Sequence, residues 1–328
     1  MHKDMLLENS QECVIKCFGD KNPDKVFYVI RQEELGRGLF SILSGVICHL
    51  DFANRCGFIP VIDFKNFKTV YNEDLEIEGT QNSFEYYFLP VSNISLEEVY
   101  SSKCVVISGN GYPKGYDYSV TAIPNLKSIF DKYIRIKPEI EQLVCIQKDV
   151  FDKTLGIHFR GQEMRTAIKH PLPPSNKQIL KSIDIILASN TYKHLFVCTE
   201  DDRLLSFIDS EYRGMVISNN HFRTCGNNAY KMTPRLNHKY LLGREVLVDM
   251  LCLSRCDALI AGNSNVSEMA CFLNNGKYSA TIFIDNGFNS RYKLLARVLW
   301  DIKNIIPQGM GGFKFDDKTL VRMNRIYE

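Results

Sequence analysis

Short runs of consecutive apolar residues alternate along the chain with longer stretches whose apolar positions recur every three to four residues. Runs of the first kind predict strands buried on both faces, and the periodic stretches predict helices that cover them. Their alternation predicts stacked βα units. Val26–Ile30 reads as the first buried strand and leads through Glu33-Glu34-Leu35-Gly36-Arg37-Gly38 into a long helix. That helix turns Leu39, Ile42, Leu43, Val46, Ile47, Leu50 and Ala53 inward, and Gly57 closes it as a left-handed terminal residue. Ile59–Asp63 is the next strand, residues 65–102 show no regular period, and Cys104–Ser108 restores a strand before a glycine-rich polar loop, 109–115. Helical segments follow around 124–133 and 137–148.

The pattern then restarts. Leu155–Arg160 reads as a strand and Ser175–Ala188 as a helix, followed by strands at Leu195–Cys198 and Met215–Ile217. A helix over Arg244–Arg255, a strand at Ala258–Ala261, a helix from about Val266, a strand at Ala280–Ile284 and a helix over Arg291–Ile302 complete the series. The phase change near residue 150 divides the chain into two Rossmann-like domains, 1–150 and 151–290, with 291–328 as a helix and tail packing back on the first. An α/β fold of two Rossmann-like domains facing across a cleft is the expected architecture, and 328 residues suit two domains of ordinary size.

Composition narrows the partners. Forty Lys and Arg against 38 Asp and Glu leave a net charge of only +2, too weak a field to recruit nucleic acid. An anionic ligand must therefore be met by a few placed arginines. The 11 cysteines are odd in number, scattered, and unaccompanied by a zinc-site spacing, which predicts reduced packing residues. Met1-His2-Lys3-Asp4 opens no signal-peptide pattern and no apolar run reaches about 18 residues, so a cytoplasmic location without an integral membrane segment is expected.

Ligands of open α/β sheets bind beyond the carboxyl ends of the strands, which singles out four loops. Gly36-Arg37-Gly38 precedes a helix N-terminus, where glycines allow close backbone approach; Ser41 stands where a dinucleotide fingerprint needs its third glycine, and a plain tight turn is the alternative. His158 and Arg160 alternate onto one strand face, where the guanidinium can take a diphosphate or pair with a structural carboxylate. Thr199-Glu200-Asp201-Asp202 follows a strand; its acids suit a helix cap and nucleotide-side loop better than a metal, since no completing carboxylates are apparent. Gly262-Asn263-Ser264-Asn265-Val266-Ser267-Glu268 turns from strand to helix and can cradle a phosphate, cap the helix, or do both.

In this order and strand context, the loops resemble the GT-B fold fucosyltransferase superfamily of α1,2-, α1,6- and peptide O-fucosyltransferases. The resemblance rests on the glycine loop, H-x-R at His158 and Arg160 with Glu163 three residues on, T-[DE]-D at Thr199-Glu200-Asp201, D-x4-S-x2-D at Asp249, Ser254 and Asp257, and N-S-x-x-S at Asn263, Ser264 and Ser267. It spans roughly residues 25–275.

What the resemblance implies is an inverting, metal-independent glycosyltransferase that moves a sugar, foremost L-fucose, from a GDP-sugar to a hydroxyl of a glycan or glycolipid. It needs no cofactor besides that co-substrate. It gives Arg160 the β-phosphate and the departure of GDP, His158 the guanine or phosphate end, Asp249 the guanine or the donor loop, and Ser264 with Asn263 and Asn265 the diphosphate. Glu34, beside the glycine loop, is the first candidate for the base and Glu163 the second. Many relatives carry H-x-R-R, where this chain has Gly161. Another GDP-linked sugar, or a non-catalytic nucleotide- or glycan-binding protein of the same fold, are the alternatives. The context suggests polysaccharide assembly with peripheral membrane association and no nucleic acid.

Overall fold

The computed structural model describes residues 13–33, 36–116, 126–145, 151, 153–189, 192–225 and 229–314. Two compact units divide the chain, Met1–Gln142 with Thr233–Leu247, and Leu143–Met232 with Val248–Glu328.

The first unit holds a four-stranded sheet of β1 (Val14–Lys16), β2 (Phe27–Ile30), β3 (Ile59–Ile62) and β4 (Val105–Ile107) in the order β1-β4-β2-β3. β2 is buried along its whole length and runs parallel to both neighbours, as its unbroken apolar run requires. The antiparallel β1 is exposed at all three positions, so it carries no core pattern and has no counterpart in the sequence reading. Helix α1 (Leu39–Cys56) covers the sheet and ends where Gly57, at φ 70°, turns left-handed. The aperiodic stretch after β3 is held by side-chain amides instead of a ladder. Asn72 Nδ2 donates to Phe64 O at 2.7 Å and Asn82 Nδ2 to Ile62 O at 2.8 Å. Buried Tyr71, Tyr86, Tyr87 and Phe88 fill the space beneath. Short helices α2 (Leu96–Val99), α3 (Leu126–Tyr133) and α4 (Pro138–Cys145) follow.

The second unit is a fully parallel five-stranded sheet of β5 (Thr154–His158), β6 (His194–Cys198), β7 (Val216–Ile217), β8 (Ala258–Gly262) and β9 (Ala280–Ile284) in the order β7-β6-β5-β8-β9. Helices α5 (Asn176–Ser189) and α6 (Asp202–Glu211) lie between its first strands, and α7 (His238–Arg255), α8 (Asn265–Asn274) and α9 (Lys293–Ile305) follow. Leu155, Ile157, Leu195, Val197, Ile260 and Ile282 from four strands join Ile179, Ile183 and Ile208 in one core. Within the unit the strands run 3-2-1-4-5, so the order reverses between β5 and β8.

Three differences from the periodic pattern have physical causes. β5 stops at His158, so Arg160 belongs to the loop beyond the strand and not to its alternating face. Helix α7 begins at His238, earlier than the periodic pattern shows: Gly243 interrupts the helical signal in the sequence, and it is a glycine because a Cβ there would meet the Tyr87 hydroxyl. The same hydroxyl donates to Tyr240 O at 3.1 Å. Helix α9 turns Trp300 against Leu172 and Phe313 of its own unit, its indole N–H donating to Pro173 O at 2.7 Å.

Among the described residues no helix is long and apolar enough to cross a membrane. The ten cysteines described are free, and Cys48, Cys56, Cys198, Cys252, Cys256 and Cys271 are buried.

Candidate active site

Parallel pairing fixes which loops meet in the second unit. His158 lies opposite Cys198 of β6 on one side and Ala261 of β8 on the other. The segments that leave these three positions therefore emerge together, at the point where the strand order reverses. They carry Arg160, Glu200 and Ser264.

His158 is 5% exposed, and its Nδ1 lies 2.8 Å from Ser267 Oγ. That hydroxyl donates to Gly262 O at 3.1 Å, which leaves it to accept from the ring. Nδ1 therefore carries the proton and Nε2 the lone pair. Burial lowers the pKa of His158 to about 4, so the imidazole is neutral near pH 7. Ser267 is fully buried and acts here as the support of His158, with no surface of its own to offer a ligand.

Arg160 is held from one side. Its Nε donates to Glu200 Oε1 at 3.3 Å, and the backbone N–H of Gly161 reaches the same oxygen at 3.3 Å. Among the described residues no other hydrogen bond reaches the guanidinium, whose side chain is 39% exposed. Its Nη1–Nη2 edge is thus open and planar, the geometry that accepts two oxygens of a diphosphate.

Glu163 lies on a short 3₁₀ turn, Gln162–Arg165, immediately after Gly161. Its Oε2 is buried with no donor in reach, and its carboxyl shares the space around Gly161 with that of Glu200, which takes the Gly161 N–H. Burial, reinforced by Glu200, raises the pKa of Glu163, whereas Arg160 leads the interactions that outweigh burial and lower that of Glu200. A Cβ built on Gly161 would meet Glu163 Oε2, so the glycine makes room for this carboxyl.

Asp201 is 1% exposed and caps α6, accepting from Arg203 N at 3.0 Å, while Thr199 Oγ1 accepts from Asp201 N at 3.2 Å. The cap reading of this loop is the one the structure shows for Asp201; Glu200 turns the other way, to Arg160. Ser264 caps α8 through Val266 N at 3.3 Å, with Asn263 and Asn265 exposed on either side. The first turn of α8 thus faces outward beside Arg160's loop.

Asp249 sits deeper. Its Oδ1 accepts from Asn219 Nδ2 at 2.6 Å and lies 3.0 Å from His221 Nδ1, and Cys198 Sγ donates to its Oδ2 at 3.6 Å. It anchors the segment after β7 more than it presents a carboxylate. Asn219 and His221 are absent from the sequence-derived site; a polar Ser-Asn-Asn-His run directly after a strand was the available signal. Asp257 and Ser254 are likewise structural, Asp257 Oδ2 accepting from Thr154 N at 2.7 Å and Ser254 Oγ donating to Leu251 O at 2.8 Å.

Gly36, Arg37 and Gly38 belong to the first unit. Arg37 is engaged locally: Nε donates to Ser41 Oγ at 3.0 Å, Nη2 to Ser41 O at 2.6 Å, and Nη1 to Gln32 Oε1. Gly38 precedes α1 in an extended conformation with no side-chain cap. Glu34 lies outside the described residues. No group of three His, Cys, Asp or Glu among the described residues is placed to hold a metal ion.

No protein-family model matches the chain, and neither does any curated protein. Solved structures do. NodZ α-1,6-fucosyltransferase from Bradyrhizobium, soaked with GDP-fucose, aligns over 80% of this chain and 96% of its own, at 16% identity and a TM-score of 0.53. The NodZ structure co-crystallised with GDP aligns over 82% and 100%, with the same score. Arabidopsis thaliana FUT1 in complex with GDP aligns over 86% and 74% at 12% identity, with a TM-score of 0.41. The NodZ likeness establishes the fold as that of a GT-B fucosyltransferase, which is the α/β class the sequence predicts.

Proposed function

We propose that the chain is an inverting, metal-independent glycosyltransferase that moves L-fucose from a GDP-sugar to a hydroxyl of a glycan or glycolipid. One observation carries this reading: a guanidinium fixed through Nε alone, its outer edge open, at the strand-order reversal of a parallel sheet. The fold likeness to NodZ, which was soaked with GDP-fucose in one structure and co-crystallised with GDP in another, supports the donor class. In this reading Arg160 takes two oxygens of the diphosphate and neutralises the charge that grows as the glycosidic bond breaks. The outward N–H groups of the first turn of α8, with Ser264, Asn263 and Asn265, share that charge. Neutral His158 adds no cation and accepts a hydrogen bond at Nε2. Glu34, named from sequence, is assigned the acceptor proton.

The test is calorimetry with GDP, GDP-fucose, GDP-mannose and UDP, followed by a transfer and hydrolysis assay with the preferred donor. GDP binding that depends on Arg160, with turnover of GDP-fucose, is expected. Preference for UDP or another GDP-sugar would replace the donor. Gly161, at the position where many members of the resembled family, though not all, carry a second arginine, favours one other reading, a binding protein without turnover. Tight GDP binding with no hydrolysis or transfer would establish it.

A further inference from the structure

We propose that Glu163 and Glu200 hold a single proton between them, and that this proton keeps the two carboxyls and Arg160 neutral as a set in the diphosphate site. The proposal rests on the GDP-sugar reading for the identity of the ligand, and on local geometry for the proton. Glu163 Oε2 is a buried acceptor with no donor in reach, and its carboxyl and that of Glu200 crowd the same glycine, Gly161. Two carboxylates cannot satisfy each other; one must carry a hydrogen. Glu200 already accepts from Arg160 Nε and from Gly161 N, so it is the partner stabilised as the anion and Glu163 is the one that keeps the proton. Gly161 makes the arrangement possible, because a Cβ there would meet Glu163 Oε2.

The charged and titratable groups around the pair come from several elements. Arg160 and His158 reach it from the end of β5, and Tyr230 and His170 act on Arg160. Asp201, whose Cβ lies beside Gly161, is committed to capping Arg203 N and lies 3.6 Å from Arg203 Nε. With the proton in place, Arg160, Glu200 and Glu163 sum to zero. Without it they sum to −1, facing an anionic ligand. Proton loss therefore weakens diphosphate binding while Arg160 stays in position. Glu163 acts through this charge and is a positioning residue.

The experiment compares wild type with Glu163→Gln, using GDP as the probe between pH 7 and 8.5, above the titration of its own phosphate near pH 6 and short of the ionisation of its guanine ring. Wild-type affinity is expected to fall about threefold across this range, while Glu163→Gln stays flat. In parallel, ligand-free melting temperatures are recorded from pH 4.5 to 9. Glu163, with its folded pKa raised to about 8, is protonated in the fold while the unfolded chain has released the proton. Wild-type stability therefore drops relative to Glu163→Gln as pH rises through that window. Divergent melting curves with no GDP binding would retain the shared proton and sink the donor. GDP binding with parallel pH profiles in both proteins, or parallel melting curves, would overturn the proposal and leave the donor standing.

Discussion

Each sheet reverses its strand order once, and the two reversals are furnished differently. In the first unit the loops after β2 and β4 are tied to each other. Arg31 Nε donates to Ser108 O at 2.7 Å, Gln32 Nε2 to Gly111 O at 2.8 Å, and Glu33 N to Asn110 Oδ1 at 3.0 Å. Arg37 closes on Gln32 and Ser41. In the second unit the loops after β5 and β8 leave a guanidinium edge and a helix N-terminus open. A topological position is thus an opportunity, and side chains decide whether it is filled by the protein itself or left for a ligand.

The sharpest test of that contrast is a pair of arginines. Arg160→Ala is expected to lower transfer at least 100-fold with the fold intact by circular dichroism. Arg37→Ala is expected to cost about 1–2 kcal/mol in urea unfolding, through its lost loop hydrogen bonds, and to change GDP affinity less than about threefold. Equal losses of GDP affinity in the two variants would erase the distinction between the reversals. Glu200→Gln comes next: it loosens Arg160 without removing its charge. The turnover number should fall about tenfold while GDP affinity holds or rises, because orientation is lost and an anion is gone. A fall in affinity alone would remove Glu200 from the positioning of Arg160.

A smaller effect compares one histidine from each unit. Buried His49, 2.8 Å from the Tyr28 hydroxyl, has its pKa lowered to about 3 by burial, and His158 to about 4. Unfolded, both take up protons near pH 6.5; folded, neither does until well below that. Stability should therefore fall as pH drops from 6.5 to about 4, by an amount on the order of 1–3 kcal/mol per histidine. His49→Gln should flatten its share without touching GDP binding, whereas His158→Gln should alter both. Equilibrium unfolding at four pH values would show it.

Much of this was legible in the residues, and what was not has local causes. β2, β5, β6 and β8 are buried on both faces, so their apolar runs announce them. Ser264 and Asp201 are caps of the expected type at the expected strand-to-helix turns. β1 could not be read, since an exposed three-residue edge strand carries no pattern. Arg160 was found for its chemistry, but its neighbours were not. Nothing in one dimension reveals that Glu200, 40 residues later, grips Nε, or that Asp249 spends its oxygens on Asn219 and His221. Motif spacing points to residues; only tertiary pairing says which atoms are left over.

Gly161 and Glu163 compete for one volume, and that makes the two positions interdependent. A side chain placed at 161 meets the far end of Glu163, which must turn aside and loosen its place beside Glu200. Shortening Glu163 vacates that space and makes position 161 permissive. What a substitution at 161 does is therefore decided two residues away, and a mutational library reads the pocket correctly only when it varies both positions together.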